Sequence, residues 1–130
     1  MLLDIYSGVD GRTVRIQFDA VERAQLVQNL KSLANLERQE WALEVQGDSL
    51  RKVHMTLLVV ENRRQERLSI TQPDTILWQR TQEGWLEAAE LVQALELGTC
   101  QLLAQHSEDA AIVEVCLSNQ AMDSPTRHVD

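Results

Sequence analysis

The sequence predicts an α+β fold: a tandem ββαββ repeat of about eight mostly antiparallel strands, with two helices packed on one face. Two observations carry that expectation. The stretch Ala24-Gln25-Leu26-Val27-Gln28-Asn29-Leu30 returns, 65 residues later, as Ala89-Glu90-Leu91-Val92-Gln93-Ala94-Leu95. Each copy has the apolar spacing of an amphipathic helix. Around each copy lie short runs with the period-two alternation of half-buried strands, separated by turn residues.

The same offset places Gln17 on Gln82, Glu22 on Glu87, Leu3 on Leu68 and Ile5 on Ile70. From Gln17 to Leu30, seven of fourteen positions are identical. Burial does not demand glutamine at matching polar positions, so duplication explains the match better than convergence does. Half-domains of roughly sixty residues would be marginal alone and should share one core. The expected organisation is one domain over 1–118, built from halves at about 1–60 and 67–118, with 119–130 as a loose tail.

Taken in order, Leu2 to Ser7 reads as a strand, followed by the turn Gly8-Val9-Asp10-Gly11. Arg12 to Phe18 alternates, with Val14, Ile16 and Phe18 on one face. Asp19 is placed to cap a helix over Ala20 to Leu36, and Glu22 completes a capping-box pattern. The stripe Ala20, Ala24, Val27, Leu30 and Ala34, flanked by Leu26 and Leu33, is the expected buried face. Trp41 to Gln46 and Arg51 to Val60 follow as strands around Gly47-Asp48-Ser49. Leu58 and Val60 make both faces of the longer strand apolar near its end, which predicts a central position in the sheet or cover from the partner half.

Glu61 to Glu66 reads as a solvated connection, because its glutamates cancel much of the field of Arg63 and Arg64. The second half repeats the order. Its strands are expected over Arg67 to Thr71 and Thr75 to Arg80. A helix should open at Thr81 or Gln82, and Gly98 is placed to end it in a left-handed cap. A final hairpin, Thr99 to Gln105 and Ala110 to Leu117, surrounds the turn His106-Ser107-Glu108-Asp109. Whether the strands form one sheet or two facing ones is left open by the pattern.

The chain has 130 residues and a net charge of −8. Residues 1–65 carry nine basic and nine acidic side chains, whereas residues 66–130 carry three basic and eleven acidic. The whole excess therefore lies in the second half, a hint about partners rather than fold. It argues against nucleic acid, whose phosphates need a cationic face. No apolar run approaches the ~20 residues of a membrane helix, and the start lacks a secretory signal pattern. Cys100 and Cys116 fall on adjacent strands of one hairpin. Two plain buried thiols in a reducing cytoplasm are expected, with a cross-strand disulfide as the alternative.

Motifs for chemistry are absent. There is no phosphate loop, nucleophile elbow or metal-ligand spacing, and His54, His106 and His128 lie far apart. The expectation is a non-enzymatic protein with no cofactor, no metal and no catalytic residue. On the second helix Glu83, Glu87 and Glu90 recur at i, i+4 and i+7 as one acidic stripe. Trp85 is placed to add an aromatic contact, and Asp74, Glu108 and Asp109 extend the field. These seven residues are the expected surface for a basic protein partner. Reversing the three glutamates is expected to abolish binding while leaving the fold intact.

The most concrete version is a cytoplasmic immunity or inhibitor protein, monomeric or homodimeric, that neutralises a cationic bacterial toxin. A secretion chaperone is a second version. The competing class is a ligand-binding or enzymatic domain using a cleft between the halves, lined by Trp78, His54 or Tyr6.

Overall fold

Eight strands and two helices follow one another in the computed structural model, which describes residues 1–8, 11–47, 51–72, 74–106 and 111–118. The strands are β1 (Leu2–Gly8), β2 (Gly11–Phe18), β3 (Glu40–Gln46), β4 (Lys52–Val59), β5 (Arg67–Gln72), β6 (Thr75–Arg80), β7 (Cys100–His106) and β8 (Ala111–Leu117). Helix α1 (Ala20–Ala34) lies between β2 and β3, and α2 (Gln82–Ala94) between β6 and β7. The expected turns at Val9-Asp10, Asp48-Ser49 and Ser107 to Asp109, and the tail 119–130, lie outside the described residues.

All eight strands form one mixed sheet, in the order β5-β6-β4-β3-β1-β2-β8-β7. Four hairpin pairs are antiparallel. The remaining three pairs, β1 with β3, β2 with β8 and β4 with β6, are parallel. β4 is internal, as its two apolar faces predicted. Residues 1–59 supply a contiguous four-stranded block, and the β5-β6 and β7-β8 hairpins add to its opposite flanks.

Alternation sends Val14, Ile16 and Phe18, Val53, Met55 and Leu57, Ile76 and Trp78, and Val113, Val115 and Leu117 to one buried face. There they meet Leu26, Val27, Leu30 and Leu33 of α1 and Trp85, Ala88, Ala89 and Val92 of α2. The expected face of α1 therefore holds from Leu26 onward, but Ala20 and Ala24 are exposed. The helices run antiparallel and cap each other across their ends. Arg23 Nη1 donates to the Leu95 carbonyl at 2.9 Å, and Gln82 Nε2 to the Ala34 carbonyl at 3.0 Å. Each interaction satisfies a carbonyl that a helix end leaves without an intrahelical partner.

The sheet curls until its flanks meet. Trp78 Nε1 on β6 donates to His106 Nε2 on β7 at 2.9 Å, although these strands stand six places apart in the sheet order. His106 is 7% exposed and ends β7, so it belongs to the core and not to the turn expected to begin at it.

The helix ends differ in how well they match expectation. Asp19 accepts from the Glu22 amide and Glu22 from the Asp19 amide, completing the capping box. α1 stops at Ala34 and closes on Leu36, at φ +59°, with Leu36 N bonded to the Leu33 carbonyl and Glu37 N to that of Ser32. This is a Schellman closure with leucine in the position glycine usually takes. α2 ends at Ala94, capped by Leu95 in extended conformation. Gly98, at φ +81°, instead serves the turn into β7, where its amide reaches the Leu117 carbonyl.

The elements run ββαββ twice in chain order, but the letter repeat keeps register with them only in part. At an offset of 65, Gln17 lies in β2 but Gln82 opens α2. Of the matching letters, Leu3 with Leu68, Val27 with Val92 and Leu30 with Leu95 are buried in both halves, whereas Ala24 is exposed where Ala89 is buried.

Candidate functional site

Helix α2 begins directly after β6, so its first turn sits over the strand's last inward-facing residue. That residue is Arg80, continuing the parity of Ile76 and Trp78, and it is only 6% exposed. Its guanidinium lies 5.9 Å from the Trp78 ring, with Nη2 3.6 Å from Glu87 Oε2. Arg80 Nε and Nη1 find no hydrogen-bond acceptor among the described residues. Burial pulls its pKa down, against the attraction of Glu66 and Glu87.

Glu66 enters from the segment before β5. Its Oε2 accepts from the Thr81 amide at 3.0 Å and from the Thr81 hydroxyl at 2.8 Å. Burial opposes its ionisation, but the two Thr81 bonds and the charges of Arg80 and Arg63 outweigh that and hold its pKa below the ordinary value. Thr81 itself caps α2 by accepting from Gly84 N at 3.1 Å. A Cβ on Gly84 would stand 2.7 Å from Glu66 Oε2 and 2.8 Å from Arg80 Nε. Glycine is therefore what lets the helix close over this pair.

Arg63, from the 3₁₀ turn Arg63–Gln65 in the connection, bridges the outside of the cluster. It approaches Glu66 at 3.7 Å, Glu83 at 3.3 Å and Glu87 at 3.4 Å. Glu66, Glu87 and Glu83 together raise its pKa. Beside it opens a pocket of about 580 Å³. Its walls come from the end of α1 (Leu36, Gln39), the end of β4 (Val59, Val60), the connection (Glu61, Asn62, Arg63) and the start of α2 (Thr81, Gln82, Glu83). This pocket draws on both sequence halves, but Trp78, His54 and Tyr6 do not line it. Trp78 is in the core, His54 is exposed beside Glu44, and Tyr6 lies under the Arg15 guanidinium.

Of the seven residues expected on the partner surface, Glu83, Glu87 and Glu90 do share the exposed face of α2. Their roles differ. Glu83 and Glu87 are tied to Arg63, and Glu87 also compensates buried Arg80, whereas Glu90 has no ion-pair partner among the described residues. Reversing all three would thus set new positive charge beside two arginines, so the fold is not expected to be indifferent to it. Trp85 cannot be a surface contact: it is 0% exposed, stacked edge-on to Trp78 at 4.9 Å, with Nε1 donating to the Leu58 carbonyl. The spacing 85, 88, 89, 92 puts it on the apolar face. Asp74 lies at the far end of β6 from Glu83, next to Thr75. Glu108 and Asp109 lie outside the described residues.

In place of Trp85, the apolar contact on this face is Leu86, 45% exposed. It lies three residues from Glu83 and four from Glu90, the distances at which helical side chains are neighbours. Leu36, 50% exposed, is a second apolar group on the pocket rim that Glu83 shares.

No described helix is long and apolar enough to cross a membrane. No known protein family, curated protein or solved structure matches the chain.

Proposed function

We propose that the chain is a small non-enzymatic binding module that docks a basic protein partner on the outer face of α2, in the manner of an immunity or inhibitor protein covering a cationic toxin. The observation that carries this reading is the exposed Leu86 set among Glu83, Glu87 and Glu90. An apolar anchor within a charged rim is the arrangement that concentrates binding energy at protein interfaces. The acidic surplus of the second half adds long-range steering toward a cation. Leu36 and the neighbouring pocket extend the surface with room for a partner side chain.

The test uses Leu86→Lys combined with Glu90→Lys, since neither side chain compensates a buried charge. Immobilised wild-type chain should retain a basic protein from the source cell's lysate at low salt and release it at high salt. The double variant, with an unchanged thermal unfolding curve, should bind that protein roughly 30-fold more weakly, the scale of one interface hot spot. Equal retention by the double variant at low salt would overturn the reading.

A further inference from the structure

Away from α2, the outer face of the last hairpin brings two sulfurs and a carboxylate together. Cys100 on β7 and Cys116 on β8 are direct register partners, with Cα atoms 4.0 Å apart, and their sulfurs are bonded. The expectation of two plain buried thiols is thereby corrected. Cross-strand pairing leaves the two side chains facing one another on one side of the sheet. Val113, Val115 and Leu117 point to the core, so Glu114 and Cys116, two residues apart, share the opposite face. The donor atoms of Cys100, Glu114 and Cys116 all lie within 4.8 Å of one another.

We propose that these three residues form a redox-gated site for a thiophilic divalent cation such as Zn²⁺. In the oxidised chain the sulfurs are spent on each other and offer no thiolate. A dithiol reductant opens the site in two exchanges. Its first thiolate attacks the sulfur of exposed Cys100 and releases the Cys116 thiolate. Its second thiolate then resolves the mixed disulfide, frees Cys100 and leaves as the reductant's own disulfide, so two electrons pass and no other reactant is consumed.

Tetrahedral Zn²⁺ takes thiolate at about 2.3 Å and carboxylate at about 2.0–2.2 Å, which sets its ligands roughly 3–4 Å apart. The observed grouping reaches that by side-chain adjustment alone. Cys116 is buried, but Cys100 is exposed and Glu114 half-buried, so the fourth position is left to water. Charge also balances: two thiolates and a carboxylate are offset by the divalent ion and by Arg15, whose Nη2 lies 3.2 Å from Glu114 Oε1. Arg15 also rests on the Tyr6 ring at 5.3 Å, which holds it as an outer partner that orients the carboxylate. Soft sulfur ligation selects such ions over Mg²⁺ or Ca²⁺.

The experiment reduces the full chain with a phosphine under anaerobic conditions and titrates it with Cd²⁺, following thiolate-to-cadmium charge-transfer absorption. The expected result is one Cd²⁺ per chain, displaced by Zn²⁺, with no absorption from the oxidised chain. Cys100→Ser should abolish the signal, and the isosteric Glu114→Gln should weaken binding about 10-fold or more. Equal affinity for Glu114→Gln, or no one-to-one signal from the reduced wild type, would overturn the proposal. So would loss of native near-ultraviolet circular dichroism on reduction, because the sulfur bond would then be a structural staple.

Discussion

Glu66 is a carboxylate on which burial and hydrogen bonding pull in opposite directions, and the hydrogen bonds win. Its pKa lies below the ordinary value of 4.5, so ionised Glu66 contributes stability above the unfolded-state value. That contribution is lost as pH falls through the lower, folded-state value. Glu66→Gln should therefore destabilise the chain by about 1–3 kcal/mol at neutral pH. Urea unfolding should show the gap to wild type closing once the solution falls below about pH 4. At this scale the sequence was partly legible. Ile76, Trp78 and Arg80 share strand parity, which places Arg80 inside, but charged residues are so rarely buried that parity alone seldom identifies one. Its compensating partner, Glu66, lies in a connection that composition reads as solvated. Nothing local announces that a segment fourteen residues upstream returns beneath the helix.

The two helices were legible as elements because their apolar spacing and N-caps are local. The capping box at Asp19 and Glu22 formed as its letters predict, and the 85, 88, 89, 92 spacing fixes which side of α2 is wet. The C-termini were not legible, because a left-handed closure depends on which residue the chain must turn at. Glycine at 98 advertised a cap that α2 does not use, while leucine at 36 closes α1 without advertising it. A leucine in that conformation costs roughly 1–2 kcal/mol relative to an ordinary helix end. Leu36→Gly relieves this but adds freedom to the unfolded chain. The expected net gain is about 0.5–1 kcal/mol in chemical denaturation. If Leu36 serves the docking surface, the same substitution should weaken partner capture, the usual exchange of stability for function.

For the whole molecule, strand count and the presence of two helices followed from alternation and helical spacing. The three parallel seams did not, because pairing between distant strands leaves no mark in either strand's own letters. Nor did the curling that joins the flanks. Its clearest expression is the Trp78–His106 bond, and His106→Phe keeps an aromatic ring there while removing the acceptor. A buried indole N–H without a partner costs about 1–3 kcal/mol. That loss should appear in thermal unfolding followed by tryptophan fluorescence. An unchanged melting curve would mean that the flanks are held by apolar contact alone.

The order in which the strands pair has a consequence for synthesis on the ribosome. The β4-β3-β1-β2 block emerges first, with β2 and β4 bare along their outer edges. Their covers, β8 and β6, are made later, and Arg12 waits for Ala111. The second half cannot cover its own strand edges meanwhile, since its hairpins pair with opposite flanks of the first and not with each other. Unpaired edges of this kind recruit strands from neighbouring chains. Nascent chains stalled near residue 65 should therefore be where self-association and chaperone dependence concentrate.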